Sequence, residues 1–349
     1  LPIGPRPGTT PPVTNTNLLG KKLTGKALIT GASGFIGSTL RDALLDAGVD
    51  VVAIRRKSSP PPRKGRSVVA EYGDVRALTE LVRDEKPDWV FHVAGATNGV
   101  TYEDFQQANV MPTRNLLTAL LEGHREVKRF VLVSSLSSYG PSSKSRAHVE
   151  TDPRRPIEHY GKSKLEAEQI VEAIGDALPW TIVRPSGVYG PRDAEFGILF
   201  REISRGRNLF YGNRDRWFSL VYVDDCVRAI VECALTDATR GKGYFLDDGK
   251  PTNWEKFQDL IVQAVGKKPF TIDVPGFLLP VAAWGGELLA KIDGKPRLFN
   301  QQKYTMGIQD AWTSQSDAAR RDFGWVAQVD AEEGVRRTLA WYRENGFPS

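Results

Sequence analysis

Lys26-Ala-Leu-Ile-Thr-Gly-Ala-Ser-Gly-Phe-Ile-Gly37 decides the fold. Ala27, Leu28 and Ile29 form a short apolar run, the pattern of a strand buried on both faces. Thr30-Gly31 breaks it, and Gly31, Gly34 and Gly37 then recur at every third position. From Ser38 the chain reads as an amphipathic helix stopped by Gly48. Strand, glycine turn and helix together make a unit that grips a dinucleotide pyrophosphate. Gly31 permits the tight turn, Gly34 leaves room for the anion, and Gly37 lets the helix lie close to the sheet. Ser33 sits in the same turn. The N–H groups near Phe35 and Ile36 face the anion, and the helix dipole helps. The spacing is G-x-x-G-x-x-G, not the G-x-G-x-x-G of ordinary dehydrogenases.

Outward from this unit, Val49 to Ile54 reads as a second strand. A carboxylate at its end would bind the 2′-hydroxyl of NAD. Arg55-Arg56-Lys57 stands there instead. Guanidinium groups can clamp a 2′-phosphate through charge-assisted bonds, so NADP(H) is favoured over NAD(H). Further strands are expected over 68–75, 88–95, 129–135 and 179–184, with helices over 78–85, 101–122 and 158–174. This alternation predicts an α/β fold: a doubly wound parallel Rossmann sheet with a smaller, mostly helical C-terminal substrate lobe. Residues 23–185 with 217–248 would form the cofactor domain, the strand at 218–223 returning to the main sheet. Residues 186–216 with 249–349 would form the lobe, and residues 1–22, rich in Pro, Thr, Gly and Asn, a disordered tail. Helices at 277–291, 315–323 and 331–345 would offer Trp, Phe and Leu side chains to a lipophilic pocket.

The 349 residues carry a net charge of +5 with both signs interspersed, and no aromatic–basic stripe suggests nucleic acid. The four histidines lack metal-site spacing, so no metal is expected, and His92, inside an apolar strand, reads as packed core. Cys226 and Cys233 are too far apart on one helix for a disulfide and fit a reducing cytoplasm. No apolar run reaches membrane-span length and no secretory signal is visible.

Tyr160 and Lys164 lie four apart on one helix and share a face. A free phenol, with a pKa of about 10, is a poor acid–base catalyst at neutral pH. A neighbouring ammonium stabilises the phenolate and is expected to lower that value. Ser135, at the end of the fifth strand, is placed to orient a substrate oxygen.

At this point the sequence resembles the extended short-chain dehydrogenase/reductase family. The residues that carry the resemblance are Thr30 to Gly37, Gly73-Asp74, His92 to Gly95, Asn109, Val133-Ser-Ser135 with Tyr139-Gly140, Tyr160-Gly-Lys-Ser-Lys164, Arg184-Pro185 with Val188 to Pro191, and Tyr222 to Asp225. They occur in the family's order over residues 26–235. The resemblance implies that Tyr160 is the general acid/base, that Lys164 also holds the nicotinamide ribose, and that Ser135 is the catalytic serine. It implies that Asn109 braces the active-site helix and a water relay, and that Asp74, beside Val75, binds the adenine amino group. Ala94 and Gly95 would line the cofactor, and Pro185 and Val188 would meet the nicotinamide side. It also implies a homodimer through the active-site helices.

The family includes sugar-nucleotide epimerases, dehydratases, and reductases of ketones and aldehydes. Ser186-Gly187 stands where sugar-nucleotide members carry Asn for the diphosphate, and Phe218 where they carry Arg, with Arg216 two residues earlier. Leu136 and Ser137 replace the acidic pair that dehydration needs. The leading expectation is an NADP(H)-dependent oxidoreductase of a hydrophobic ketone or aldehyde. A nucleotide-sugar 4-epimerase with bound NAD is the alternative, and a catalytically silent NADP-binding regulatory protein the third reading. The apolar stretch from Pro275 to Ala290 is similar to the cap of hydroxysteroid-dehydrogenase-like members; weak attachment to a membrane surface is a lesser reading of it.

Overall fold

The structure, a computed structural model, describes residue 19, residues 23–293 and residues 300–347; of residues 287–293 it describes the backbone path. The tail expected at 1–22 lies outside these except for Leu19, which packs against the core. The first half runs β1 (Lys26–Thr30), α1 (Phe35–Asp46), β2 (Asp50–Arg55), β3 (Arg66–Val69), α2 (Val75–Glu85), β4 (Trp89–His92), α3 (Tyr102–Phe105), α4 (Met111–Gly123), β5 (Arg129–Val133), α5 (His159–Glu172) and β6 (Trp180–Pro185). The second runs β7 (Gly187–Tyr189), α6 (Ala194–Ser204), β8 (Arg207–Tyr211), β9 (Trp217–Phe218), β10 (Leu220–Tyr222), α7 (Val223–Ala234), β11 (Lys242–Leu246) and β12 (Thr252–Asn253). It ends with α8 (Trp254–Val265), β13 (Phe270–Val274), α9 (Leu279–Asp293), α10 (Gln301–Gly307), β14 (Ala311–Trp312), α11 (Asp317–Phe323) and α12 (Ala331–Asn345).

Seven strands form one parallel sheet in the order β11-β6-β5-β4-β1-β2-β3. Alternation along each strand divides the core in two. Ala27 and Ile29 face α1 and α7, meeting Leu40, Leu44, Val227 and Ile230. Leu28 faces α2, α4 and α5 with Val52, Val90 and Phe130, meeting Leu78, Leu116 and Val171. Each fully buried Leu, Ile, Val or Phe among them contributes ~1.5–3 kcal/mol. The strand order reverses between β1 and β4, and there the carboxyl ends of the strands open a crevice.

Trp325, far along the chain from β1 and fully buried, belongs to the α1–α7 core. Its indole donates to the Asp225 carbonyl (3.2 Å), while the Asp225 carboxylate accepts from the N–H groups of Gln328 and Val329 (2.9 and 2.8 Å).

Three expectations are corrected. The segment 218–223 does not return to the main sheet. β10 pairs with β7, and β9 lies between β12 and β14, so both join strands of the lobe; only α7 and β11 rejoin the large sheet. Phe218 explains the diversion: its ring packs on Trp254 (4.6 Å) and Phe257 (5.9 Å) in the lobe's aromatic core. The third strand ends at Val69, because Asp74 caps α2 by accepting from the Ala77 N–H (3.0 Å). The helix over 101–122 is unbroken but not α-helical throughout; a π turn at Gln106–Val110 joins α3 to α4.

Candidate active site

The crevice beside β1 is a cleft of about 520 Å³. Its phosphate end is the opening stretch of the sequence, with Gly31, Ser33, Gly34, Phe35, Ile36 and Gly37 all on its wall. Gly31 has φ 71°, and a Cβ there would sit 2.7 Å from the Ala94 nitrogen; a Cβ on Gly37 would sit 2.2 Å from the Gly31 carbonyl oxygen. Gly31 needs glycine because the segment just after β4 runs against it, and Gly37 because α1 starts against the Gly31 carbonyl. No side chain caps α1 and no acid occupies its first turn, so its leading N–H groups and dipole remain available to an anion.

At the far end Arg55 and Arg56 line the cleft beside Ser59. Arg55 donates to the Ser59 carbonyl (3.1 Å), and its buried Nε has no acceptor. Among the described residues neither arginine has an ion-pair partner. Glu71 shares this wall and accepts from the Lys57 N–H (2.8 Å). Asp74 is exposed, its carboxylate engaged at the α2 cap, and neither it nor Val75 reaches the cleft wall; Tyr72 and Gly73 do.

Tyr160 and Lys164 reach the other end from α5. Lys164 is 5 % exposed and donates to the Val133 carbonyl (2.7 Å). Burial pushes its pKa down to about 8, against the pull of Glu168. The expected lowering of the Tyr160 pKa is not what this cleft produces. Burial raises the phenol, the carboxylates of Glu158 and Glu195 add to that, and only the Ser135 hydroxyl opposes it. The physical reason is desolvation: a phenolate buried this deeply loses more hydration than the Ser135 hydroxyl returns. Ser135 is therefore the serine that meets Tyr160. The Ser134 hydroxyl is taken by Glu168, which also holds Arg184 (3.0 Å) and Arg154 (3.0 Å). Burial alone would raise Glu168; the Arg184 charge and these hydrogen bonds hold it below its ordinary value.

Asn109 sits in the π turn, a deviation that recurs at functional sites. Its Oδ1 accepts from the Ala96 N–H (2.7 Å), and its Nδ2 donates to the Ala96 carbonyl (3.1 Å) and the Ser163 hydroxyl (2.8 Å). It thereby ties the loop after β4 to α5. Behind it runs a chain that sequence reading missed. Thr113 donates to the Asn109 carbonyl (2.7 Å), so its oxygen accepts from His92 Nε2 (3.0 Å). His92 Nδ1 then accepts from Thr30 (2.7 Å), and the Thr30 oxygen accepts from the N–H groups of Val93 and Ala94 (3.1 and 3.0 Å). Burial, and then the Lys164 charge, push His92 down to about 3, so it is neutral with its proton on Nε2.

Ala94 and Gly95 line the cleft; Pro185 and Val188 do not, Pro185 closing β6 and Val188 packing on the core. Beside Tyr160 a smaller cavity of about 110 Å³ is walled by Phe105, Met306, Glu158 and Lys303. Glu195 bridges its rim, accepting from Thr97 (3.1 Å) and Lys303 (3.3 Å). The apolar side chains expected to line a pocket from residue 277 onward instead point outward: Phe277, Val281 and Trp284 are exposed. Among the described residues no group of three or more His, Cys, Asp or Glu could hold a metal ion.

A Rossmann sheet with this glycine turn and a Ser–Tyr–Lys set defines an extended short-chain dehydrogenase/reductase. A family model described as the NAD dependent epimerase/dehydratase family matches residues 27–244, and the chain belongs to that family. It is an NAD(P)-dependent enzyme of the oxidoreductase/epimerase type. The chain is 26 % identical to a UDP-glucose 4-epimerase of Vibrio cholerae over 91 % of its own length and 95 % of the relative's. It is 29 % identical to a 2-alkyl-3-oxoalkanoate reductase of Stenotrophomonas maltophilia, covering 90 % and 98 %. Its fold matches that of a UDP-glucose 4-epimerase of Thermotoga maritima solved with UDP-glucose, with a TM-score of 0.76, 24 % identity, and 92 % and 99 % of the chains covered.

Proposed function

We propose that the protein is an NADP(H)-dependent oxidoreductase that interconverts a lipophilic ketone or aldehyde and its alcohol. The observation that carries the reading is the pair Arg55 and Arg56, unpaired by any carboxylate among the described residues, in the same cleft as Tyr160 and Lys164. A half-buried guanidinium (Arg55) beside an exposed one (Arg56) fits a 2′-phosphate better than a 2′-hydroxyl. When bound, the dihydronicotinamide supplies hydride. Tyr160, protonated because burial raises its pKa, gives its proton to the carbonyl oxygen, and Ser135 orients that oxygen. Lys164 holds the ribose and, as a cation, stabilises the phenolate left behind. Asn109 keeps the β4 loop and α5 in register. Phe105 and Met306 are the apolar side chains in the wall of the space beside Tyr160, set among polar ones that include Glu158 and Lys303.

The lipophilic substrate is supported by what surrounds Ser186. Its hydroxyl bonds that of Ser314 (2.8 Å), which donates to the Asp247 carboxylate (2.9 Å). An acid-backed cluster is a poor seat for a diphosphate. The likeness to a 2-alkyl-3-oxoalkanoate reductase points the same way. One observation favours the second reading, a nucleotide-sugar 4-epimerase. Among the described residues Arg216 donates to the carbonyls of Asn213 (2.7 Å) and Tyr211 (2.6 Å) and has no ion-pair partner, which leaves its charge available to an anion. A homodimer through α4 and α5 belongs to the first reading and is checked by sedimentation. The deciding experiment follows NADPH oxidation against panels of long-chain ketones, aldehydes and UDP-sugars. Consumption with the carbonyls supports the proposal; interconversion of UDP-sugars without net NADPH loss overturns it.

A further inference from the structure

The start of α9 is apolar on two faces and covered on one. Leu279 (7 % exposed) and Ala283 (0 %) turn inward, and Leu279 lies against Gly212, where a Cβ would meet its Cδ1 at 3.3 Å. Phe277, Val281 and Trp284 follow each other at four and three residues on the opposite side and are 75, 67 and 63 % exposed. Leu278 is exposed beside them; Tyr211, whose register partner is Val274 just ahead of this turn, is exposed too, as is Phe270 at the head of β13. These six are most of the nine large apolar side chains exposed among the described residues; the other three are scattered. A helix apolar all round is stable where both faces are covered.

Charge selects the cover. Lys267 and Lys268, separated from Phe270 by Pro269, are exposed and have no ion-pair partner among the described residues. Asp273, the acid of β13, is already held by Arg214 (2.8 Å). Aromatic side chains flanked by lysines suit the headgroup boundary of an anionic bilayer. We infer that the Phe277–Trp284 face of α9, with Phe270 and Lys267–Lys268, docks the protein on an anionic lipid surface without spanning it. Among the described residues no helix is long and apolar enough to cross a membrane. The inference is independent of the ketone reading.

The test is sedimentation of the full chain with vesicles of phosphatidylcholine alone or with about one-third phosphatidylserine. Two lysines predict a preference on the order of thirtyfold for the anionic vesicles, fading with salt. F277S/W284S should bind ~10-fold or more weakly, and K267E/K268E should lose the lipid preference, both still binding NADPH as evidence of folding. Should those variants fail to fold, quenching of wild-type tryptophan fluorescence by brominated lipids gives the same answer without mutation. Absence of both sedimentation and quenching in the wild type overturns the inference. So does concentration-dependent self-association without vesicle binding, which would assign the face to a second copy.

Discussion

Lys164 is the side chain whose charge this cleft makes most conditional. Its pKa of about 8 means that the ammonium is half lost in mildly alkaline buffer. In the proposed mechanism reduction needs both that cation and a protonated phenol, and the phenol stays protonated because burial raises its own pKa. The kcat/KM for carbonyl reduction should therefore be flat below the Lys164 value and fall above it, with an apparent pKa near 8 in a pH–rate profile. An acidic limb in its place would contradict the assignment. Tyr160→Phe should lower turnover by ~10²–10⁴ while NADPH still binds, as seen by fluorescence titration. Arg55→Asp and Arg56→Asp should each shift preference from NADPH toward NADH, read as the ratio of the two kcat/KM values. These residues were legible because their types and spacing lie on one short stretch each. Thr30, His92 and Thr113 were not, because His92 is separated from Thr30 by 62 residues and from Thr113 by 21. A histidine in an apolar strand looks the same in sequence whether it is merely packed or linked at both nitrogens.

Among the elements, the π turn between α3 and α4 is the one that shapes the site. It puts Asn109 where one amide meets both Ala96 and Ser163, and a regular α-helix over 101–122 would have no such turn there. Its cause lies in contacts with other segments, which periodicity does not report. Asn109→Leu keeps the volume and removes the three bonds. The expected outcome is a ~10-fold or larger loss in kcat with little change in NADPH affinity, since catalytic geometry is lost and the phosphate turn is untouched. Gly37→Ala tests the opposite end. Its Cβ would strike the Gly31 carbonyl oxygen, so α1 must back away from β1. NADPH affinity and thermal stability should drop together, measured by titration and calorimetry. β1, α1, β2 and α5 were readable because local pattern and tertiary demand agree in them. β9 and β10 were not: Phe218 to Tyr222 is apolar but for Ser219, like any strand buried on both faces, and the aromatic rings of the lobe, far off in sequence, decide which sheet takes it.

For the whole molecule, buried carboxylates set the response to pH. Burial raises Asp193, Asp247 and Glu158 to about 7. Between their ordinary values and about 7 the folded chain binds more protons than the unfolded one, so stability declines as pH rises through that window. Asp152 and Glu333 are held down to about 2, chiefly by Arg146 and Arg336, and the buried Glu168 is also lowered. Their contribution is present above their ordinary values and disappears as pH falls through the folded ones. The midpoint of thermal unfolding should accordingly be higher near about pH 5.5 than near about 7.5, and fall steeply below about 4. A monotonic rise toward neutrality would show that those three acids are ionised in the folded state. Trp325 adds a consequence in time. A ribosome makes β1 long before the tryptophan that closes its core. Through most of that interval the α1–α7 layer stays open on one side, and a nascent chain paused after β11 displays it to chaperones. Emergence of the Trp325–Val329 segment, with its two N–H groups for Asp225, is the step that ends that exposure and seals the layer.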